Sequence, residues 1–109
     1  MRRFGQVIRV RPDAEEEYKK IHVKIWPEVE AAIHEAGIRN YSIYLKDGML
    51  FAYFEYHGPD EEYDARMAQL GKVSRESGWW DITEAMQQPL DTRQPGEWWA
   101  NMEEVFHQD

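Results

Sequence analysis

Asp47-Gly48 sits between two runs dense in β-branched and aromatic residues, Ile38 to Lys46 and Met49 to His57. That dipeptide suits a two-residue turn whose central residues both need positive φ, so the chain predicts a β-hairpin. A hairpin alone is marginal in water and needs further strands or a helix against its apolar face. The rest of the chain has to supply that cover. Phe4 to Arg11 reads as a first strand ending at Pro12-Asp13. A helix follows, with Glu15, Glu16 and Glu17 in its first turn, where the helix dipole favours them. Its pattern runs to Ala36, with Gly37 as the stop and Pro27 as a kink or a junction between two short helices.

After the hairpin, Gly58-Pro59-Asp60 opens another helical region, with Tyr63, Met67 and Leu70 at helical spacing. A further helical stretch carries Trp79, Ile82 and Met86, and the polar piece from Lys72 to Gly78 reads as a weak connection. Residues 88–97, with Pro89, Pro95 and Gly96, read as a loop, and Trp98 to His107 as the last strand. The order strand, helix, strand, strand, helix, strand predicts an α+β, ferredoxin-like (βαββαβ-type) antiparallel sheet with helices on one face. Alternation puts Tyr41, Ile43 and Leu45 on one face and Ile38, Ser42 and Tyr44 on the other. A sheet apolar on both sides, with helices for one, predicts a homodimer.

The chain has 109 residues, which bounds it to one domain spanning 1–109. A net charge of −8 and no basic stretch longer than a pair argue against nucleic acid as a partner. No cysteine is present, which removes disulfides and thiolate chemistry. Met1 to Gln6 carries no apolar run of the signal-peptide kind, and nothing approaches the roughly 20 apolar residues that span a bilayer. A cytoplasmic protein without a membrane partner is the expectation.

Within this frame, Tyr18, His22 and Trp26 recur every four residues, which places a phenol, an imidazole and an indole on one side of a helix. Aromatic faces pack on the C–H faces of sugars, and a histidine exchanges protons near neutral pH. This combination reads as a small-molecule site with one acid/base group. On a helix, Trp79 and Trp80 point about 100° apart, so they form either two pocket walls or one core and one interface residue. Trp98-Trp99 has the same ambiguity, and strand alternation would send its two rings to opposite faces in structural roles. His34, His57 and His107 lack a comparable setting and are expected to be exposed or at strand ends. No His pair has the helical spacing of a zinc site, and no glycine-rich nucleotide loop or serine-hydrolase elbow occurs.

Taken together, Pro12-Asp13, Tyr18-x-x-x-His22-x-x-x-Trp26-Pro27-Glu28, Asn40-Tyr41-x-Ile43-x-Leu45, Trp79-Trp80 and Glu104-Val105-Phe106 resemble the L-rhamnose mutarotase family. The resemblance runs in order along nearly the whole chain. It departs at Lys72 to Gly78 and at Trp98-Trp99. It implies a dimeric α/β-barrel-like assembly and interconversion of the α and β anomers of L-rhamnose or a related deoxy sugar, without cofactor or metal. His22 matches the family's proton donor, and Tyr18, Tyr41, Trp79 and Trp80 match its substrate-binding positions. The second proton-transfer group is left open between a tyrosine, a carboxylate and water. Two rival readings share the scaffold: a cofactor-free or haem-degrading monooxygenase, and a non-catalytic sugar-binding module.

Overall fold

The computed structural model describes residues 1–109. Strand β1 covers Arg2–Val10, helix α1 Glu15–Ile21, α2 Pro27–Glu35, β2 Ile38–Lys46, β3 Met49–Tyr56, α3 Tyr63–Glu76 and α4 Trp79–Met86. Two short strands, β4 at Gln87–Gln88 and β5 at Ala100–Met102, complete the sheet. Its order is β2-β3-β1-β4, with β5 also on β1, and every pairing is antiparallel. The expected element order is present, and the fourth strand is divided into two pieces. Gln87 and Gln88 pair with Val10 and Arg9, while Ala100 to Met102 pair with Val7 to Gly5. The last strand is therefore much shorter than Trp98 to His107. Residues 103–109 leave the ladder, held at Arg3 by an exposed ion pair to Glu104 at 3.0 Å.

The hairpin turn forms as its residues dictate, with φ of 52° at Asp47 and 73° at Gly48. The face assignment along β2 changes. Asn40 takes φ 53°, and the β2–β3 register shifts between Arg39 and Ser42. This bulge adds a residue and flips the alternation. Ile38, opposite Tyr56, therefore shares the helix-covered face with Ile43, opposite Ala52, and Leu45, opposite Leu50. Ser42 and Tyr44, opposite Tyr53 and Phe51, lie on the helix-free face as expected.

Of the two readings of Pro12 to Ala36, a kinked helix or two short helices meeting at Pro27, the second holds, with a 3₁₀ turn at Pro12–Ala14 ahead of α1 and α2. Pro27 starts α2 at its first turn, where a missing N–H costs nothing. Conversely, the weak stretch from Lys72 belongs to α3, which runs unbroken to Glu76 before Gly78 adopts φ 88°. The buried core falls into two groups on the helix side. Ile8, Val10, Tyr18 and Leu50 form one, with Ile43, Leu45, Met86 and Trp99 packed against it. Ala36, Ile38, Phe54 and Tyr56 form the other, backed by Phe4, Ile33, Tyr63, Met67 and Leu70. The gap between the two groups is where the cleft opens. On the opposite face Tyr44, Phe51, Tyr53 and Met102 are exposed, so the two-sided apolar pattern is present. No helix is long and apolar enough to cross a membrane.

Candidate active site

Helix α1 stops at Ile21, and the last carbonyls of a helix lack partners within it. His22, the capping residue, turns its ring back over the last turn, and Nδ1 lies 2.7 Å from the carbonyl oxygen of Tyr18. A carbonyl can only accept, so Nδ1 carries the hydrogen, and in the neutral ring Nε2 keeps its lone pair. The imidazole stacks on the Tyr18 phenol, with centroids 4.2 Å apart and planes 25° apart. Burial holds the His22 pKa below its ordinary value, against a smaller opposing effect of the Tyr18 carbonyl. The resting imidazole is thus neutral at pH 7.

Trp79 is 6% exposed and meets both His22 and Trp26 edge-on, at centroid distances of 5.3 and 5.2 Å. Tyr18, His22 and Trp26 do not share one helix, since Trp26 caps the start of α2, but Trp79 gathers His22 and Trp26 on itself. Trp80, one residue on, is 36% exposed. Its ring lies so near Gly71 that a Cβ there would come within 3.3 Å of it. The Arg75 guanidinium covers the ring at 5.3 Å and is itself held by Glu84 at 2.7 Å and Asp81 at 2.9 Å.

Tyr41 sits in the β2 bulge, which swings its ring to within 5.4 Å of Phe54 on the helix side. Two cavities share it as a wall. The smaller, about 350 Å³, is lined by His22, Ile25, Glu30, Ile33, Tyr41, Ile43 and Trp79. The larger, about 530 Å³, carries Tyr41, Trp80, Trp98, Trp99, Gln87, Glu84 and Glu97 among its walls. Both fall in the size range of small-molecule sites. Desolvation raises the Tyr41 pKa although 43% of the residue is exposed, as expected of a phenol inside an open cleft.

Tyr18 packs behind His22 and lines neither cavity itself. It is 5% exposed, and burial pushes its pKa up to about 12, partly countered by a hydrogen bond from Gln87. The Gln87 Nε2 donates to the Tyr18 hydroxyl at 3.0 Å, and the Trp98 Nε1 donates to Gln87 Oε1 at 2.8 Å. Of the five residues singled out from the sequence, His22, Tyr41 and Trp79 line the smaller cavity, Tyr41 and Trp80 the larger, and Tyr18 is buried behind His22 and Gln87 without lining either. Gln87, Trp98 and Glu30 were not among them. Gln87 falls between the helical pattern ending at Met86 and the loop of residues 88–97 and gives no periodic signal, and Glu30 is one of three acidic residues on α2. Trp98 and Trp99 do not point to opposite faces of a strand; both precede β5 and border the larger cavity. His34, His57 and His107 are exposed. No cluster of three or more His, Asp or Glu side chains is placed to hold a metal ion.

These features define a small α+β protein whose helix-covered sheet face carries an aromatic-walled cleft of monosaccharide scale with one neutral imidazole. The model of the family L-rhamnose mutarotase matches residues 3–108, and the chain belongs to that family. Mutarotation is an isomerisation, so the family is one of isomerases, and the match does not favour the monooxygenase reading. An L-rhamnose mutarotase of Lactiplantibacillus plantarum is 36% identical over 111 residues, covering all of both chains. One of Bacillus subtilis is 40% identical over 82 residues, covering 73% of this chain and 74% of its own. The fold matches the crystal structure of an L-rhamnose mutarotase from Formosa agariphila with a TM-score of 0.71 over both full chains at 22% identity.

Proposed function

We propose that this chain interconverts the α and β anomers of L-rhamnose, with His22 moving the proton and Tyr18, Tyr41, Trp79 and Trp80 binding the sugar. The observation that carries this reading is the His22 ring itself. It is fixed by Nδ1, neutral by burial and borders a cavity walled by Tyr41 and Trp79. Nε2 takes the proton of the anomeric hydroxyl. The bond between C1 and the ring oxygen breaks, leaving an aldehyde, and the imidazolium so formed gives its proton to the departing ring oxygen. Rotation about the C1–C2 bond and the reverse sequence close the other anomer. Atoms and charge balance over the cycle, and the histidine returns to its neutral form. The two oxygens share C1, so one imidazole serves both proton transfers, and a positioned group of this kind contributes about 10²–10⁴-fold.

The aromatic walls supply binding rather than chemistry. Indole faces pack on sugar C–H faces and on the methyl group of a 6-deoxy sugar, while the phenols bond hydroxyls. A homodimer is part of the same reading, formed through the helix-free face where Tyr44 is 68% exposed beside Phe51, Tyr53 and Met102. A cytoplasmic setting fits a chain without cysteine. Saturation-transfer NMR on a panel of free sugars tests the function. Catalysed exchange between the anomers of L-rhamnose, stronger than for sugars bearing a C6 hydroxyl, is the expected result. Exchange no faster than in buffer, for every sugar in the panel, would remove the proposal.

A further inference from the structure

Trp98 stands outside the residues that the reaction uses, yet its indole N–H is spent inside the cleft on Gln87. That bond has a directional consequence. An indole N–H only donates, so the Gln87 atom facing it must be the carboxamide oxygen. The other end of the same carboxamide, an NH₂ group, then faces the Tyr18 hydroxyl and can only donate to it. Gln87 is 3% exposed and Tyr18 5%, so water does not scramble this order. The Tyr18 oxygen therefore accepts from within the protein, and its own hydrogen has no acceptor in the chain. Tyr18 lines neither cavity itself: its ring stacks on His22, which lines the smaller, and its hydroxyl lies on Gln87, which lines the larger, so this hydrogen is left one side chain behind the cleft wall.

We propose that Trp98 and Gln87 are positioning residues that fix Tyr18 as a hydrogen-bond donor toward the bound sugar. The inference deepens the mutarotase reading and rests on it. Without the pair, the phenol could turn its hydrogen to an internal acceptor and present only lone pairs to the ligand. The polarity matters because the ring oxygen, which carries no hydrogen in the closed sugar, can only accept.

Two substitutions test this through anomer exchange measured by NMR, with kcat and KM separated and wild type as reference. In Trp98→Phe the ring stays and the donor goes. Its kcat/KM is expected to fall about tenfold, the scale of one hydrogen bond, and Trp98→Phe/Tyr18→Phe to be no slower than Tyr18→Phe. Gln87→Glu is the second variant and stands if the first fails to fold. A protonated carboxyl would still donate to Tyr18, whereas an ionised one accepts its hydrogen. A new falling limb in the pH profile is expected as the introduced carboxyl ionises, absent when Tyr18 is also phenylalanine. Wild-type kcat/KM in Trp98→Phe, an equal loss with and without the Tyr18 hydroxyl, or a Gln87→Glu profile without that limb would overturn the proposal. Failure of the wild type itself to exchange any sugar would instead remove the functional reading beneath it.

Discussion

At the scale of single residues, burial separates side chains that look alike in sequence. Trp79 and Trp80 are neighbours, but one is 6% exposed and boxed by two rings, and the other is 36% exposed over Gly71. Trp79→Ala should cost about 3–5 kcal/mol of stability, the usual range for a buried large aromatic. Trp80→Ala should leave stability nearly unchanged and raise KM; urea unfolding and titration with sugar distinguish the two. Titration behaviour follows burial too. Tyr18 ionises at about 12 in the fold and at about 10 when unfolded. Between those values the unfolded chain has lost a proton that the folded chain keeps. Stability therefore falls as pH rises from 10 to 12, by about 2–3 kcal/mol in total. Tyr18→Phe should flatten that slope in urea unfolding curves. His22 runs the other way at the acid end. Its folded pKa is depressed, so the base needed for catalysis is present at pH 7 and lost only as pH falls below the ordinary histidine range. The kcat profile should show its acid limb below about pH 6.5.

At the scale of elements, the legible parts were those with a repeating pattern or a dedicated turn chemistry. The hairpin followed from Asp47-Gly48, and the helices from their apolar spacing and from Pro27. The bulge at Asn40 was not legible, because one extra residue in a strand has no sequence period of its own. It shows only in three dimensions, where Asn40 Nδ2 donates to Glu55 Oε1 at 2.8 Å and Tyr53 and His57 bond the same carboxylate. Those bonds, led by His57, hold the Glu55 pKa down to about 2. Ala100–Met102 falls inside the expected last strand, but its early end and the partner piece at Gln87–Gln88 were illegible for a similar reason, since two- and three-residue strands are defined by their pairing with β1 alone. The bulge matters because it delivers Tyr41 to the cleft. Asn40→Ala should cost about 1–3 kcal/mol, from positive φ and a lost hydrogen bond, and should raise KM through Tyr41. Asn40→Gly should recover the conformational part alone. Thermal unfolding with sugar titration checks both.

At the scale of the whole molecule, the helices cover one face of the sheet and leave Tyr44, Phe51, Tyr53 and Met102 exposed on the other, with Val105 and Phe106 exposed in the tail beyond β5. An isolated chain would keep this apolar surface wet. Sedimentation at micromolar concentration should give a dimer, and Tyr44→Lys with Phe51→Lys should shift it toward monomer while the helix side stays folded. The cleft opens on the helix side, away from that surface, so the proposed dimer would leave it accessible. The central claim is that His22 moves the proton in an anomer exchange, and exchange NMR with L-rhamnose on wild type and His22→Ala, both folded and both saturated with sugar, tests it most directly. The account predicts rapid exchange for wild type and a loss of about 10²-fold or more in the variant, with binding only modestly weakened. Equal exchange in the two proteins would contradict it, as would sugar binding without exchange in wild type, the behaviour of a non-catalytic sugar-binding module.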